Sequence, residues 1–139
     1  MFLTRLIYVS TLSKNCDSNA IGDILSQSRE HNKKSHITGL LSHNQTYFLQ
    51  CLEGSRDAIN DTYHHILNDQ RHSNVSILYF KEIDCRSFGD CSMGDIPQSH
   101  LTTLLKLQFS GSEHFNPYEM SGESAYLMLL ELKKNLPSE

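Results

Sequence analysis

Residues 47–54 (YFLQCLEG) alternate in a way that predicts a β-strand around which the chain is organised. With a period of two, Phe48, Gln50 and Leu52 share one face, while Leu49 lies on the other with Cys51. Gln50 is thus a primary amide between large apolar side chains. An unpaired buried amide costs about 1–3 kcal/mol, so Gln50 either finds backbone or water partners or reads the polar edge of a ligand.

The start of the chain predicts a strand followed by a helix. Residues 2–10 (FLTRLIYVS) are apolar on both faces, which is typical of an inner strand, and Tyr8 and Ser10 share one of those faces. Ser18 or Asn19 is expected to cap the helix. The residues that share one face of this helix, at spacings of three and four, are Ile21, Ile24, Leu25 and Ser28, with Asn32 one turn further on.

The middle of the chain continues this alternation. Residues 36–42 predict a strand and residues 43–46 a turn, which together with the central strand make a hairpin. A second helix begins at Ser55, and its inner face is expected to hold Ile59, Tyr63, Ile66 and Leu67. Residues 75–83 form another strand, and residues 88–94 an irregular return to a short last one. The order β-α-β-β-α-β-β predicts a ferredoxin-like α+β fold, with both helices on one sheet face.

The tail of the chain supplies a cover for the opposite face of the sheet. Residues 99–109 and 122–136 are leucine-rich and amphipathic, and a polar connector with Pro117 joins them. Two C-terminal helices are therefore expected to cover the free face, to dock a partner, or to do both. We divide the chain into a domain at residues 1–96 and a helical extension at residues 97–139, within one compact unit.

Composition narrows the function further. The chain has 139 residues and a net charge of −4, which argues against binding nucleic acid or an anionic membrane. It has no membrane-spanning run and no secretory signal, so we expect a cytoplasmic protein. Neither the 4 cysteines nor the 8 histidines have a recognised zinc spacing, so no metal site is predicted, and Cys51 is expected to act as a small hydrophobe.

Strand parity brings the two polar strand residues together. If the faces that carry Tyr8 and Gln50 look toward the two helices, both side chains converge on the slot between those helices. The helix residues that would join them there are Ser28, Asn32, Asp69, Arg71 and His72. An apolar slot with polar groups at its edges suits a planar heteroaromatic ligand, and a flavin fits this description. The simpler alternative is that residues 69–72 form a solvated loop or a local ion pair worth under about 1 kcal/mol.

The motifs resemble those of BLUF domains, the small flavin-binding sensors of blue light. They are RLIYVS (5–10), ITGLL (37–41), FLQCLEG (48–54), DQRH (69–72) and FGDCSMG (88–94), which occur together and in order. The resemblance covers residues 3 to about 95. The tail resembles that of short, stand-alone members, in which two helices follow the domain and no effector domain is fused.

This resemblance implies roles for individual residues. Tyr8 matches the tyrosine that donates an electron to excited flavin, and Gln50 matches the glutamine that bridges this tyrosine and the flavin ring. Asn32 matches the asparagine bonded to a flavin carbonyl, and Met93 the methionine that takes part in signal output. The other implied pocket positions are Ile24, Ser28, His31, Phe48, His65, Ile66, Asp69, Arg71 and His72. The implied cofactor is a flavin, with FAD favoured over FMN or riboflavin.

The chain departs from the family at one output position. Many members have a tryptophan two residues before the methionine, whereas this chain has Cys91 there and no tryptophan anywhere. A tryptophan–methionine exchange is therefore excluded as the signalling step. In place of it, we expect a hydrogen-bond rearrangement of Gln50 to pass through Met93 to the C-terminal helices.

The resulting prediction is a blue-light photoreceptor, not an enzyme, read out by a downstream signalling protein. The paired tail helices would also suit self-association into a homo-oligomer. Three rival hypotheses stay open: a flavin-binding module without light function, a colourless protein-interaction domain, and an acylphosphatase-like hydrolase. The hydrolase is disfavoured because residues 11–18 contain no glycine-rich anion cradle.

Overall fold

The part of the chain that the structure describes is built on one five-stranded β-sheet. A computed structural model of the chain describes residues 2–14, 16–90, 93–97, 106, 108–109 and 116–134. The elements are β1 (Leu3–Leu12), α1 (Ser18–Ser35), β2 (Thr38–His43), β3 (Tyr47–Ser55), α2 (Arg56–Leu67), β4 (His72–Ile83), β5 (Gly94–Pro97) and α3 (Gly122–Lys133). The described strands form one sheet in the order β4-β1-β3-β2-β5, and among them only the β2–β5 pair is parallel. The α+β, ferredoxin-like prediction and the inner position of β1 are confirmed.

Both faces of the sheet are buried, and the strand parity is as predicted. On the face covered by α1 and α2, the buried residues are Leu6, Tyr8, Leu12, Leu25, Ile37, Leu41, Phe48, Leu52, Ile59 and Met93. On the face covered by α3, they include Ile7, Val9, Leu40, Leu49, Cys51, Met128, Leu129 and Leu132. The prediction that Cys51 is a buried hydrophobe is confirmed.

The ends of the first two helices are set by short polar side chains. The Asp17 carboxylate accepts a hydrogen bond from the Ala20 amide at 2.9 Å, so Asp17 is the N-cap of α1. The prediction of Ser18 or Asn19 at that position is wrong by one or two residues. His36 ends α1 with φ 56°, a left-handed conformation outside the range of regular strand backbone, and β2 begins at Thr38, later than predicted. Ser55 caps α2 as predicted.

The inner face of α2 differs from its prediction at one residue. Ile59 is buried, and Tyr63 and Ile66 pack against the same core. Leu67 is 47% exposed, so its predicted inward placement is wrong. It is the last helical residue and is rotated by about 100° from Ile66, away from the sheet. Thr62 takes an inner position that its polarity concealed.

The C-terminal segment is described in part. The predicted helix at residues 99–109 falls largely outside the described residues, but α3 matches the predicted start of the last helix. Gly122, the first residue of α3, lies against β4, and a Cβ there would be only 2.2 Å from the Leu78 carbonyl oxygen. Only glycine permits this approach, so α3 docks at one fixed point of the sheet. Within the described residues, no helix is long and apolar enough to cross a membrane.

Candidate functional site

A cavity of about 200 Å³ lies between α1 and α2 on their face of the sheet. Its lining residues are Tyr8, Ile24, Gln27, Ser28, His31, Asn32, Phe48, Gln50, Leu52, Thr62, His65, Ile66, Asp69, Arg71 and His72. The structure thus brings together every predicted pocket position, whereas Met93 is fully buried beside the cavity. The sequence analysis missed Gln27, Leu52 and Thr62. Leu52 could have been found, because it shares the strand face of Gln50.

Tyr8 and Gln50 form a hydrogen-bonded pair on the floor of this cavity. The two residues are opposite each other in the antiparallel register of β1 and β3. The Tyr8 hydroxyl donates to Oε1 of Gln50, and Nε2 of Gln50 donates to the Met93 sulfur at 3.3 Å. A thioether is a weak acceptor, so the amide is held more firmly at its oxygen than at its nitrogen. An amide held in this way can turn over at small cost.

The environment of Tyr8 keeps its phenol protonated. Burial raises the pKa of Tyr8 well above its ordinary value of 10.0, and the charges of Asp69 and Tyr63 add to the effect. The rings of Tyr63 and His72 lie edge-on to it, at centroid distances of 6.3 and 6.4 Å. At neutral pH, Tyr8 therefore carries both an electron-rich ring and a proton that is already hydrogen bonded to Gln50.

A charged pair lies at the edge of the cavity, where α2 leads into β4. Arg71 donates from Nε and Nη2 to the Asp69 carboxylate at 2.7 to 3.1 Å, and from Nη2 to Gln27 Oε1 at 3.0 Å. These hydrogen bonds lower the pKa of Asp69 below its ordinary 3.8 and raise the pKa of Arg71. The rim thus offers an anion and a cation side by side, as the local ion pair that the sequence left open.

The three histidines of the cavity have different surroundings. His72 is buried, with Nε2 at 2.9 Å from the Ile66 carbonyl oxygen and Nδ1 at 2.8 Å from the Ser10 hydroxyl. Since the carbonyl can only accept, Nε2 carries a proton. His31 and His65 face each other from α1 and α2 with ring centroids 5.9 Å apart. His31 Nε2 lies 2.9 Å from the Thr62 hydroxyl, and His65 Nδ1 lies 2.8 Å from the Asp61 carbonyl oxygen. His72 therefore braces the fold through both ring nitrogens, whereas each of these two contacts is made by one.

The donor set of the cavity fits a flavin ring. Its walls include the apolar side chains of Ile24, Phe48 and Ile66. The buried amides of Asn32 and Gln50 each offer a donor and an acceptor, as the alternating carbonyl and N–H edge of an isoalloxazine requires. Among the described residues, no group of three or more His, Cys, Asp or Glu side chains could hold a metal ion.

A buried ion pair on the opposite face was missed by the sequence analysis. Arg5 Nε lies 2.7 Å from Oε2 of Glu53, whose carboxylate also accepts from the backbone amides of Ser87 at 3.1 Å and Phe88 at 2.7 Å. Arg5 stacks over the Tyr126 ring of α3, 4.2 Å from its centroid. Arg5 and Glu53 lie opposite each other in the register of β1 and β3. The alternation of these two strands was the sequence pattern that could have indicated the pair. The pair fixes the connection that leads from β4 to Met93.

Comparison with known proteins agrees with this geometry. The family model described as "BLUF: Sensors of blue-light using FAD" matches residues 3–94. The blue light- and temperature-regulated antirepressor BluF of Escherichia coli (strain K12) is 33% identical over 91 residues, which is 66% of this chain and 23% of that protein. The photoactivated adenylate cyclase subunit beta of Euglena gracilis is 28% identical over 107 residues, which is 76% of this chain and 12% of that protein. The chain therefore spans less than a quarter of the length of these curated relatives.

Two solved structures match along nearly the whole chain. The photo-activated state of BlsA has a TM-score of 0.87 and 28% identity, and the match covers 99% of this chain and 98% of that one. The dark-state structure of BlrB, a BLUF protein, has a TM-score of 0.82 and 26% identity, with 97% and 98% coverage. With the family model matching residues 3–94, the chain belongs to the BLUF family of flavin-binding, blue-light sensors.

Proposed function

We propose that Tyr8 and Gln50 are the photochemical pair of this sensor, and that Met93 receives their signal. The observation that carries the proposal is the continuous line from the Tyr8 hydroxyl through the Gln50 amide to the Met93 sulfur. All three side chains are buried, so this line is shielded from competing water. Domain 1–96 is then the sensory unit, and the extension 97–139 belongs to its output.

The chemistry needs an electron acceptor, which the cofactor provides. When bound, the flavin supplies an oxidised ring that becomes a strong electron acceptor in blue light. Tyr8 gives up an electron, and its proton moves along the existing hydrogen bond to Oε1 of Gln50. When both the electron and the proton return to Tyr8, Gln50 is left turned over, with the amide oxygen rather than the nitrogen toward Met93. The change is worth on the order of 1 kcal/mol, so it biases an equilibrium and does not force a large motion.

The remaining cavity residues hold and orient the cofactor in this proposal. Ile24, Phe48 and Ile66 would pack against the ring, and Asn32 would bond one of its carbonyl groups. The polar positions that complete the site are Ser28, His31, His65, Asp69, Arg71 and His72. FAD is the flavin we expect, since it is the one that the family description states.

The output is proposed to run through a separate signalling protein. The Escherichia coli relative is described as an antirepressor and the Euglena gracilis relative as a subunit of a photoactivated adenylate cyclase. The family model that matches residues 3–94 is one of sensors, so we expect this domain to regulate and not to catalyse a reaction. We further expect a cytoplasmic location and a readout through the C-terminal helices, by a partner or a second copy of the chain.

Absorption spectra before and after blue illumination test the proposal. The purified protein should be yellow and show a reversible red shift that is absent in Tyr8→Phe and Gln50→Leu. Tyr63→Phe is the matched control, because the Tyr63 ring neighbours Tyr8 but its residue does not line the cavity. It should keep the shift. A yellow protein without any shift would leave a light-insensitive flavin module, and a colourless one an interaction domain.

A further inference from the structure

A second groove, of about 690 Å³, lies at the C-terminal end of α1, beside the connection from β4 to β5. Its lining includes three permanently cationic side chains, those of Arg29, Lys33 and Arg86, and the imidazole of His36. The acidic residue at the groove is Asp90, whose carboxylate lies 3.0 Å from Nζ of Lys133. The groove is therefore a basic site on a chain whose net charge is −4.

The groove cations are held by neutral acceptors, so their charge stays available. Arg86 donates to the Thr38 hydroxyl at 2.9 Å and to the carbonyl oxygens of Glu53 at 2.9 Å and His36 at 2.7 Å. Arg29 donates from Nε to the Met93 carbonyl oxygen at 3.2 Å. In the part of the chain that the structure describes, no salt bridge involves Arg29, Lys33 or Arg86.

We propose that this groove binds an acidic segment of a partner protein, and that light changes its affinity. Carboxylates form strong, charge-assisted hydrogen bonds with guanidinium groups. Arg86 has five N–H donors and uses three of them in these internal hydrogen bonds, so two remain for a ligand. Gly89 lines the same groove at an exposed position and, having no side chain, leaves room for a peptide backbone. Nucleic acid fits less well, because about 6–10 phosphate contacts are usual for a strong binder.

The link to light is two contacts long. Nε of Arg29 holds the carbonyl oxygen of Met93, and the sulfur of Met93 accepts from the Gln50 amide. When Gln50 turns over, its oxygen faces the sulfur, and two electron-rich atoms replace a hydrogen bond. Met93 then moves, and Arg29 moves with the carbonyl that it holds. This second part of the proposal rests on the proposed function, whereas the binding in the dark does not.

The test is fluorescence anisotropy with a synthetic peptide of alternating glutamate and alanine. Its dye must be excited by red light, so that the measurement does not activate the flavin. Lys33→Glu should weaken binding in the dark by about tenfold or more, because it reverses a charge at the groove. The control is Lys34→Glu at the next residue of α1, where the lysine is also exposed but pairs with Glu30 and is not part of the groove. It should change the affinity by less than about threefold.

Each outcome decides one part of the proposal. Equal losses in Lys33→Glu and Lys34→Glu, or tighter binding of a single-stranded oligonucleotide than of the peptide, overturn the groove. The absorption red shift is recorded in the same cuvette. A full red shift with unchanged peptide affinity overturns the link through Arg29 and Met93. Absence of the red shift counts against the proposed function instead, while the dark measurement still decides the groove.

Discussion

Replacement of Glu53 by glutamine removes the counter-charge of Arg5 at almost unchanged volume. The wild-type carboxylate is fully buried and accepts from Arg5 and from the amides of Ser87 and Phe88. Glutamine has only one acceptor oxygen, and its NH2 group faces at least one of these donors. The variant therefore contains a buried guanidinium without an anion and an unpaired backbone amide.

The expected cost is about 3 kcal/mol in the free energy of unfolding. Breaking a buried ion pair by removing one partner costs about 3–5 kcal/mol. The lower end applies here because Arg5 keeps the hydroxyl of Ser87 at 2.8 Å, that of Tyr79 at 3.4 Å and the ring of Tyr126. Urea unfolding followed by circular dichroism, at a fixed flavin concentration, measures the loss.

Two further variants make this test decisive. Glu82→Gln breaks the ion pair with Arg56, whose side chains are 57% and 50% exposed, and should cost less than about 1 kcal/mol. The double variant Arg5→Met/Glu53→Gln should cost less than Glu53→Gln, because the acceptor at position 53 is the same and no charge is left buried. A loss in Glu53→Gln no larger than in Glu82→Gln would refute this account of the buried pair.

Three other outcomes are expected from the cavity. Ser28→Phe should give a folded but colourless protein because its ring fills the cavity, whereas Ser26→Phe, at an exposed position of α1, should stay yellow. Burial raises the pKa of Tyr8, so the wild type and Tyr8→Phe should show equal phenolate absorbance up to about pH 11. Arg71 lowers the pKa of Asp69, so the ion pair stabilises the fold at pH values above 3.8, the ordinary pKa of this carboxyl. The difference in stability between the wild type and Asp69→Asn should therefore vanish as the pH falls from 3.8 through the lowered pKa. A colourless Ser26→Phe, a difference in alkaline absorbance, or a difference that persists in acid would contradict the respective prediction.

Strand parity carried most of the prediction, because an alternating pattern assigns every side chain of a strand to a face. It grouped Tyr8 with Leu6 and Gln50 with Leu52, and the register of β1 and β3 places both groups on one side of the sheet. It could not find the Glu53 carboxylate's partners at Ser87 and Phe88, since loop backbone amides leave no trace in a hydrophobic pattern. The capping residue Asp17 was missed because several adjacent polar residues can all serve as caps, and only the backbone path selects one.

The short strand β5 determines where this molecule yields first. It has 4 residues and, among the described strands, pairs with β2 alone, whereas β1 and β3 each have partners on both sides. A free-energy change of the size of one hydrogen bond is small compared with the stability of the central strands. It is large compared with the stability of the pairing between β5 and β2. The central strands β1 and β3 can therefore stay rigid while β5 separates from β2 and pairs with it again. A change in the rate of amide hydrogen exchange that is confined to Asp95 and Ile96 would show this difference between the edge and the centre of the sheet.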